Sequence, residues 1–568
     1  MENLEIARVL GEVADLLEIK GSNPFRIRAY RNAVRTVQEL TRPLASMVEA
    51  GEDLTGLPGV GKDMAGHIRE LVERGELSLL EELGKEVPRS LTDLIRLDGV
   101  GPKKAKKLWE ELDVTSVDEL EELLPTGRVE ALDGFGAKSV EKMAGAIEDF
   151  RKHQGRFLLS DVDTLLAPLI AHLEKLGPVE RVEVAGSYRR RKETVGDADL
   201  LVLAEKGREE IMAAFTGYSG AGKVESAGET RGRIVLRSGL PVDIRILPAE
   251  SYGGALQYFT GSKEHNVALR TLAVKRGLRI NEYGVFRIEG DAEGDAEGGA
   301  EDEEDRETGG ATGPEAGLRI GGAREEEIYK ALELPWIDPR LRENRGEVEA
   351  AREGALPDLL TQEDMRGDLQ MHSTWSDGKN TLAEMARACR DRGYEYLSIT
   401  DHSQAVTVAG GLKPDEVREQ WEEIEVVRAE VEGIHLFRSL EIDILKDGSL
   451  DMPDDILEEL DLVLVSVHSF MNMGKTEMTD RVIRALEHPQ VDILAHPTGR
   501  VLNRREPFEL DVEAVLQAAA ELRVAVELNA HPERLDLHDR HVRRARELGV
   551  KVAISTDAHS VQDLSLMR

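Results

Sequence analysis

Ten of the fourteen histidines in this 568-residue chain lie beyond residue 366, and their placement is ordered. From Gly367 onward, short apolar and β-branched runs alternate with helix-length polar stretches. The runs are Tyr396–Ile399, Leu436–Leu440, Leu462–Val467, Ile493–Leu494, Val524–Leu528 and Val550–Ile554. Alternation at that spacing predicts parallel βα units, and a barrel is a form that closes them. Imidazoles and carboxylates fall where these runs stop. Gln370, His372 and Asp377 come first; His402, Glu441, His468, His496, Asp557 and His559 follow in strand order. The C-terminal strand ends of a βα barrel converge on one face, which would gather these nine residues into one site. Mixed nitrogen and oxygen ligands suit Zn²⁺, Mn²⁺ or Fe. His435, His488, His531, His538 and His541 fall outside the pattern and are read as surface or core residues. The single cysteine, Cys389, excludes an internal disulfide and any cysteine-based zinc site.

Residues 1 to about 150 carry apolar positions three and four apart (Leu4, Val9, Leu10, Val13, Leu16, Leu17), which predicts helices. One motif repeats there. Leu57-Pro58-Gly59-Val60-Gly61-Lys62 recurs as Leu97-Asp98-Gly99-Val100-Gly101-Pro102 and as Leu132-Asp133-Gly134-Phe135-Gly136-Ala137. A Gly-x-Gly turn lets backbone approach a partner closely, and a following helix points free N–H groups at an anion. With Lys62, or with Lys103 and Lys104 nearby, that anion is expected to be a backbone phosphate. Gly59, Gly61, Lys62, Gly99, Gly101, Lys103 and Lys104 are the candidate DNA contacts.

Overall charge opposes this reading at first. There are 110 acidic and 74 basic residues, a formal net charge of −36, and phosphates attract cations. The excess is partly local: residues 289–307 hold eleven acids and one arginine in a low-complexity tract, read as a disordered insertion. Basic clusters persist at Arg26, Arg28, Arg31 and Arg35, at Lys103 to Lys107, and at Arg189 to Lys192. The first twenty residues carry Glu2, Glu5, Glu12, Asp15 and Glu18, unlike a secretory signal. No apolar run approaches the ~20 residues of a membrane helix. A cytoplasmic location with no membrane partner is expected.

From about residue 157 short strands appear among helices. Asp197 and Asp199 are two apart on an expected strand, so their carboxylates share a side. They repel one another unless a cation intervenes. Asp243 interrupts the apolar run Pro241-Val242-Asp243-Ile244-Arg245-Ile246 as a third acid. Three carboxylates holding a pair of Mg²⁺ ions match the needs of in-line nucleotidyl transfer. Gly186-Ser187 opens a helix that can grip β- and γ-phosphates, with Arg190 as charge partner and Gly196 in the turn before the acids.

These residues resemble the nucleotidyltransferase superfamily. Tyr258-Phe259-Thr260-Gly261-Ser262, followed by Asn266 and Arg270, narrows the resemblance to family X (polymerase beta-like) DNA polymerases over residues 1 to about 335. The resemblance implies that Tyr258, Phe259 and Gly261 pack against the incoming sugar, and that Asn266 and Arg270 reach the base pair and template. It implies Mg²⁺ at Asp197, Asp199 and Asp243, dNTPs and gapped or primer-template DNA as partners, and a monomer. Members with lyase activity use a Schiff-base lysine where this chain has His67; imidazole cannot form that bond, so lyase chemistry by that route is not expected. The C-terminal arrangement resembles the polymerase-and-histidinol-phosphatase (PHP) family of metal-dependent phosphoesterases, which opens on His-x-His where this chain has Gln370-Met371-His372. That resemblance implies Mn²⁺ or Zn²⁺ and a 3′→5′ exonuclease or 3′-end phosphoesterase.

The expected fold is multidomain: an all-α helix-hairpin-helix N-terminal region (1–82 and 83–150), an α+β nucleotidyltransferase palm (151–250), a thumb (251–335) with the acidic insertion 289–317, a linker (336–365) and a (β/α) PHP barrel (366–568). The expected function is gap-filling DNA polymerisation with 3′-end trimming. An RNA or small-molecule nucleotidyltransferase fused to a phosphatase, or a non-catalytic DNA scaffold, are the alternatives; the hairpins and Tyr258–Gly261 speak against the first, and the three intact acids against the second.

Overall fold

The computed structural model describes residues 3–40, 42, 44–97, 99–153, 155–288 and 317–567. The expected acidic insertion lies outside these except for Gly317, as does Asp98 of the second hairpin. The chain forms two compact units: residues 1–95, 102–120 and 153–358, and residues 96–101, 121–152 and 359–568. No helix among the described residues is long and apolar enough to cross a membrane.

The described residues up to 153 are helical apart from turns, as the apolar spacing predicts. The three hairpins build one turn. Val60 N–H donates to Leu57 O at 3.1 Å, Val100 to Leu97 at 3.0 Å and Phe135 to Leu132 at 3.0 Å. Gly59, Gly99 and Gly134 take φ of +71°, +81° and +85°, where a Cβ is penalised. The middle residues Val60, Val100 and Phe135 turn inward and are buried. Helices Lys62–Arg74, Pro102–Leu112 and Ala137–His153 follow them.

A five-stranded sheet forms the next layer: β1 (Arg181–Val184), β2 (Ala198–Leu203), β3 (Ala221–Ala227), β4 (Arg231–Leu236) and β5 (Pro241–Leu247). The spatial order is β1-β2-β5-β4-β3, with β2 and β5 parallel and the other pairs antiparallel. Strand alternation sorts its faces. Ala198, Leu200 and Val202 of β2 and Val242, Ile244 and Ile246 of β5 pack with Val162, Leu166, Ile211 and Phe215 of helices Leu159–Glu174 and Arg208–Thr216. Asp199 and Asp243 alternate with these and face the other side.

The thumb comprises helices Ala249–Thr260 and Lys263–Val274, a three-stranded antiparallel sheet and helix Glu325–Ala331. Its strands are β6 (Leu278–Asn281), β7 (Gly284–Arg287) and β8 (Leu318–Gly321), in the order β8-β7-β6. Arg287 pairs with Leu318, so the insertion leaves and rejoins the sheet at one point. Much of the segment 336–365 is not the linker its prolines suggested. Ile337, Val348 and Ala351 share a core with Ile328, Tyr329 and Leu332, and Glu347–Glu353 is a helix. Pro339 opens a short turn capped by the Asp338 carboxylate, which accepts from Arg340 N–H.

One buried ion cluster ties the palm to this segment. The wholly buried Arg342 donates to Glu325 Oε1 at 2.5 Å and to Ile337 O at 2.8 and 2.6 Å. Arg189 adds bonds to Glu325 of 2.7 and 3.0 Å, and the Trp336 indole one of 2.8 Å. Burial alone would raise the Glu325 pKa, but the Arg189 hydrogen bonds and the Arg342 charge hold it at about 2. Because the folded value is depressed, its stabilising contribution is complete above the unfolded value of 4.5 and is lost as pH falls towards 2. Glu325→Ala strands two guanidiniums and is expected to destabilise this unit by about 3–5 kcal/mol, measured as an earlier urea transition at neutral pH.

The second unit carries seven strands, β9 (Gly367–Asp368), β10 (Tyr396–Ile399), β11 (His435–Asp443), β12 (Leu462–Ser466), β13 (Ile493–Leu494), β14 (Ala525–Asn529) and β15 (Val552–Ser555). All are parallel and adjacent in chain order. A parallel bridge between Met371 and Ala558 joins the first to the last, leaving a nearly closed barrel. Strand β11 is longer than expected. A bridge between His402 and Glu441 extends the pairing, so Glu441 stands within the strand and not after it.

Candidate active sites

On the palm, Asp199 and Asp243 are direct register partners across parallel β2 and β5, and Asp197 stands one residue before β2. Gly186 opens the four-residue helix Gly186–Arg189 with φ +64°, and a Cβ there would lie 2.8 Å from Asp199 Oδ2. Glycine is therefore demanded both by the backbone and by the acid beside it. Burial, then the charges of Asp197 and Asp243, push Asp199 up to about 6. Burial also raises Asp243, against the pull of Arg233. Arg233 Nη1 donates to Asp243 Oδ2 at 2.9 Å. The sequence reading missed Arg233, whose position opposite Asp243 on antiparallel β4 emerges only from the strand register.

The palm acids are looser than expected. Among the described residues, the groups of three or more side chains with ligand atoms mutually within 4.8 Å all lie in the barrel. Like charges repel, and Asp243 Oδ2 is engaged by Arg233. The donor set is nonetheless all carboxylate and is concentrated on one face, where Asp199 is pushed up by burial and its neighbours' charges. That chemistry fits hard divalent cations, which Asp197, Asp199 and Asp243 could hold.

The expected nucleotide residues differ in freedom. Ser187 lies in the helix opened by Gly186, and Gly196 in the bend before β2. Arg190 follows that helix and donates to Thr260 O at 2.6 Å and Glu343 Oε1 at 2.8 Å. Tyr258 and Phe259 pack edge to face at 5.1 Å, and Arg245 lies 4.0 Å over the Phe259 ring. Gly261 ends their helix. Asn266 accepts from Gln257 at 2.7 Å and donates to Tyr258 O at 2.8 Å, so it braces the Tyr-Phe turn. Arg270 is exposed. In the helical region, Lys62 and Lys103 are exposed and Lys104 is half-buried. His67 shares a 3.0 Å hydrogen bond with Tyr30 Oη and stacks on its ring, and burial lowers its pKa.

The barrel brings together the histidines and acids its strand ends promised. His372 Nε2 lies 3.1 Å from Asp557 Oδ1 and 3.5 Å from Glu441 Oε2. Glu441 also faces His402 at 3.4 Å, His468 at 3.5 Å and His496 at 2.9 Å. Asp377 faces His372 and His402 at 3.8 Å and His559 at 3.5 Å. Asp377, His402, Glu441, His468, His496, Asp557 and His559 line a cavity of about 280 Å³. His496 and Asp557 take positive φ, +25° and +55°, the kind of strain that surrounding structure sustains at functional sites.

Charge has concentrated here. Burial would raise Asp377, yet the His559 hydrogen bond and the neighbouring imidazoles bring it to about 2. Burial would lower His559, yet Asp377 and Asp557 hold it up at about 9. Glu441 is driven down by His402, His468 and His496 against its complete burial. His372 Nδ1, His402 Nδ1 and Glu441 Oε2 are buried without a hydrogen-bond partner. Buried polar atoms ordinarily find partners, and overlapping groups of three or four nitrogen and oxygen ligands fit borderline divalent ions. Gln370 is fully buried with both amide atoms unpartnered, and it is absent from the cavity wall.

Three features here escaped the sequence reading. Asn529 ends β14 and donates to Asp557 Oδ2 at 3.2 Å; the strand-end rule that found the histidines points to it as well. Arg534, five residues on, lines the cavity with its Nε 3.3 Å from Asp557. Val406, Val408 and Ala409 form an apolar wall. His435, His488, His531, His538 and His541 stand outside the cavity wall.

Comparison with known proteins follows the same division. Residues 1–77 match the helix-hairpin-helix domain, 91–149 the SAM-like helix-hairpin-helix tandem, 159–219 the DNA polymerase beta palm and 255–343 the DNA polymerase beta thumb. The fold and sites thus define a polymerase beta-like protein joined to a barrel with a buried cluster of histidines and carboxylates. Over 570 residues the chain is 37% identical to the DNA polymerase/3′-5′ exonuclease PolX of Bacillus subtilis, covering 100% of this chain and 94% of the relative. The chain belongs to that family, the family X DNA polymerases. It is also 33% identical over 188 residues to a protein of Acetivibrio thermocellus named a probable phosphatase, covering 32% of this chain and 73% of that protein. A DNA polymerase lambda of Rattus norvegicus is 23% identical over 372 residues, 60% of this chain and 56% of the relative.

Proposed function

We propose that this protein is a DNA-directed DNA polymerase that fills short gaps during repair and carries a second, metal-dependent activity that shortens or cleans 3′ ends. One observation carries the polymerase half: Asp199 and Asp243 are register partners beside a helix opened by a glycine that packs against Asp199. Asp197, Asp199 and Asp243 would hold Mg²⁺, which would supply activation of the 3′-hydroxyl and charge neutralisation for the leaving pyrophosphate. The chain's own residues do the rest. Gly186 and Ser187 offer backbone N–H groups to the phosphates, and Arg190 pairs their charge. Tyr258 and Phe259, braced by Asn266, pack against the sugar, and Arg270 reaches towards the template. Gly59, Gly61 and Lys62, Gly99 and Gly101, and Lys103 and Lys104 grip backbone phosphates without reading sequence.

In the barrel, Gln370, His372, Asp377, His402, Glu441, His468, His496, Asp557 and His559 are proposed to hold Mn²⁺ or Zn²⁺, which supplies a hydrolytic nucleophile at neutral pH. The similarity to the named exonuclease supports removal of nucleotides from a 3′ end; the similarity to the named phosphatase supports release of a terminal phosphate. The protein is proposed to act as a cytoplasmic monomer on DNA and dNTPs.

A single assay tests both halves. A labelled primer on a gapped duplex, incubated with Mg²⁺ or Mn²⁺ and dNTPs, is expected to lengthen to the gap edge, and to shorten when dNTPs are withheld. Release of nucleoside monophosphate against inorganic phosphate separates exonuclease from phosphatase. Failure to extend any annealed DNA primer, with ribonucleotides or tRNA acceptors used instead, would sink the proposal.

A further inference from the structure

Resting on the polymerase reading, we infer that Glu343 is an internal competitor of the incoming triphosphate: its carboxylate occupies the cationic groups that polyphosphate binding needs, and nucleotide must displace it. Arg190 is the charge partner assigned to the β- and γ-phosphates. Its Nε donates to Glu343 Oε1 at 2.8 Å, and Lys192 Nζ lies 3.7 Å from the same oxygen. The contact spans 153 residues of sequence and is no local accident of a helix face. Both side chains are largely shielded, with 14% of Arg190 and 18% of Glu343 exposed.

Glu343 is also aimed. The preceding residue, Arg342, is wholly buried and tied to Glu325 and Ile337. Its carbonyl accepts from Ser262 N–H at 3.0 Å, beside the turn that supplies Thr260 O to Arg190. The next residue, Asn344, takes φ +53°, and its N–H donates to Glu347 at 2.9 Å. With the chain fixed on both sides, the Glu343 side chain has little choice of direction. A fixed anion on an anion-binding arginine acts as a threshold. A ligand gains from Arg190 only what exceeds the pair already present, so weakly charged anions gain little and a metal-bound triphosphate gains most.

The test is equilibrium binding of dATP to the full-length protein with Ca²⁺ replacing Mg²⁺, measured by calorimetry for wild type, Glu343→Gln, Arg190→Ala and the double variant. Glutamine keeps an acceptor for Arg190 while removing the charge. Glu343→Gln is expected to tighten dATP binding about tenfold, which corresponds to about 1.4 kcal/mol, and Arg190→Ala to weaken it. In the Arg190→Ala background the Glu343→Gln gain should shrink to what freeing Lys192 alone provides, since the cycle isolates the Arg190 pair. Urea transitions coincident with wild type establish that the variants fold; Glu343→Asp, which keeps the charge and shortens the reach, is expected to bind dATP with an affinity between those of wild type and Glu343→Gln. Unchanged or weaker binding by Glu343→Gln, or a gain undiminished by loss of Arg190, overturns the inference. Failure of all four proteins to bind dATP overturns the polymerase reading itself and this inference with it.

Discussion

Asp243→Asn is expected to lower nucleotide incorporation on gapped DNA by on the order of a thousandfold, the scale on which removal of one charge-stabilising group acts, while 3′-end shortening persists. The change is nearly isosteric, so packing is not the cause. Asp243 faces Asp199 across parallel strands and accepts from Arg233. Its loss removes one of three anionic oxygen donors and leaves Arg233, with Glu225 as its remaining carboxylate partner, less neutralised at this face. Divalent ions would then be held by fewer negative charges. Primer extension with Mg²⁺ reads the effect. Incorporation at wild-type rate would show that this acid takes no part in holding the metal.

His468→Ala is expected to act in the opposite sense. His468 stands where β12 ends, 3.5 Å from Glu441, and lines the barrel cavity. It belongs to one of the triads whose ligand atoms lie within 4.8 Å. Removing it should lower 3′-end shortening by about a hundredfold or more. Manganese retained after dialysis, measured by elemental analysis, should fall with it, and extension of a gapped primer should be unchanged. Loss of extension with nuclease activity intact would break the division of labour between palm and barrel.

How far these sites were legible differs residue by residue. The hairpins were fully legible, because a turn needing positive φ at its first glycine and a buried middle residue writes the same six-residue signature each time. The clustering of the barrel's histidines and acids was legible as a set, since a strand's end is a local feature and parallel connectivity carries all such ends to one face. Glu441 was placed correctly for the wrong reason: the strand was expected to stop before it, and tertiary pairing with His402 carried the strand past it. The segment after Pro335 was misread as a linker, because its few apolar residues are scattered and the core they complete was assembled from helices and strands earlier in the chain.

The chain's own order of residues was enough to say which chemistry is present: acids spaced by two, glycine where backbone must bend left, imidazoles at strand ends. Those signals are local, and periodicity converts them into faces. The fold alone decided which charges meet. Arg233 reaches Asp243 through antiparallel register. Glu325 gathers Arg189 and Arg342 into one buried cluster, and Glu343 settles on Arg190. Ion pairs act over a few ångströms irrespective of separation along the backbone, so only the packed structure can choose among the many cations each acid might have met.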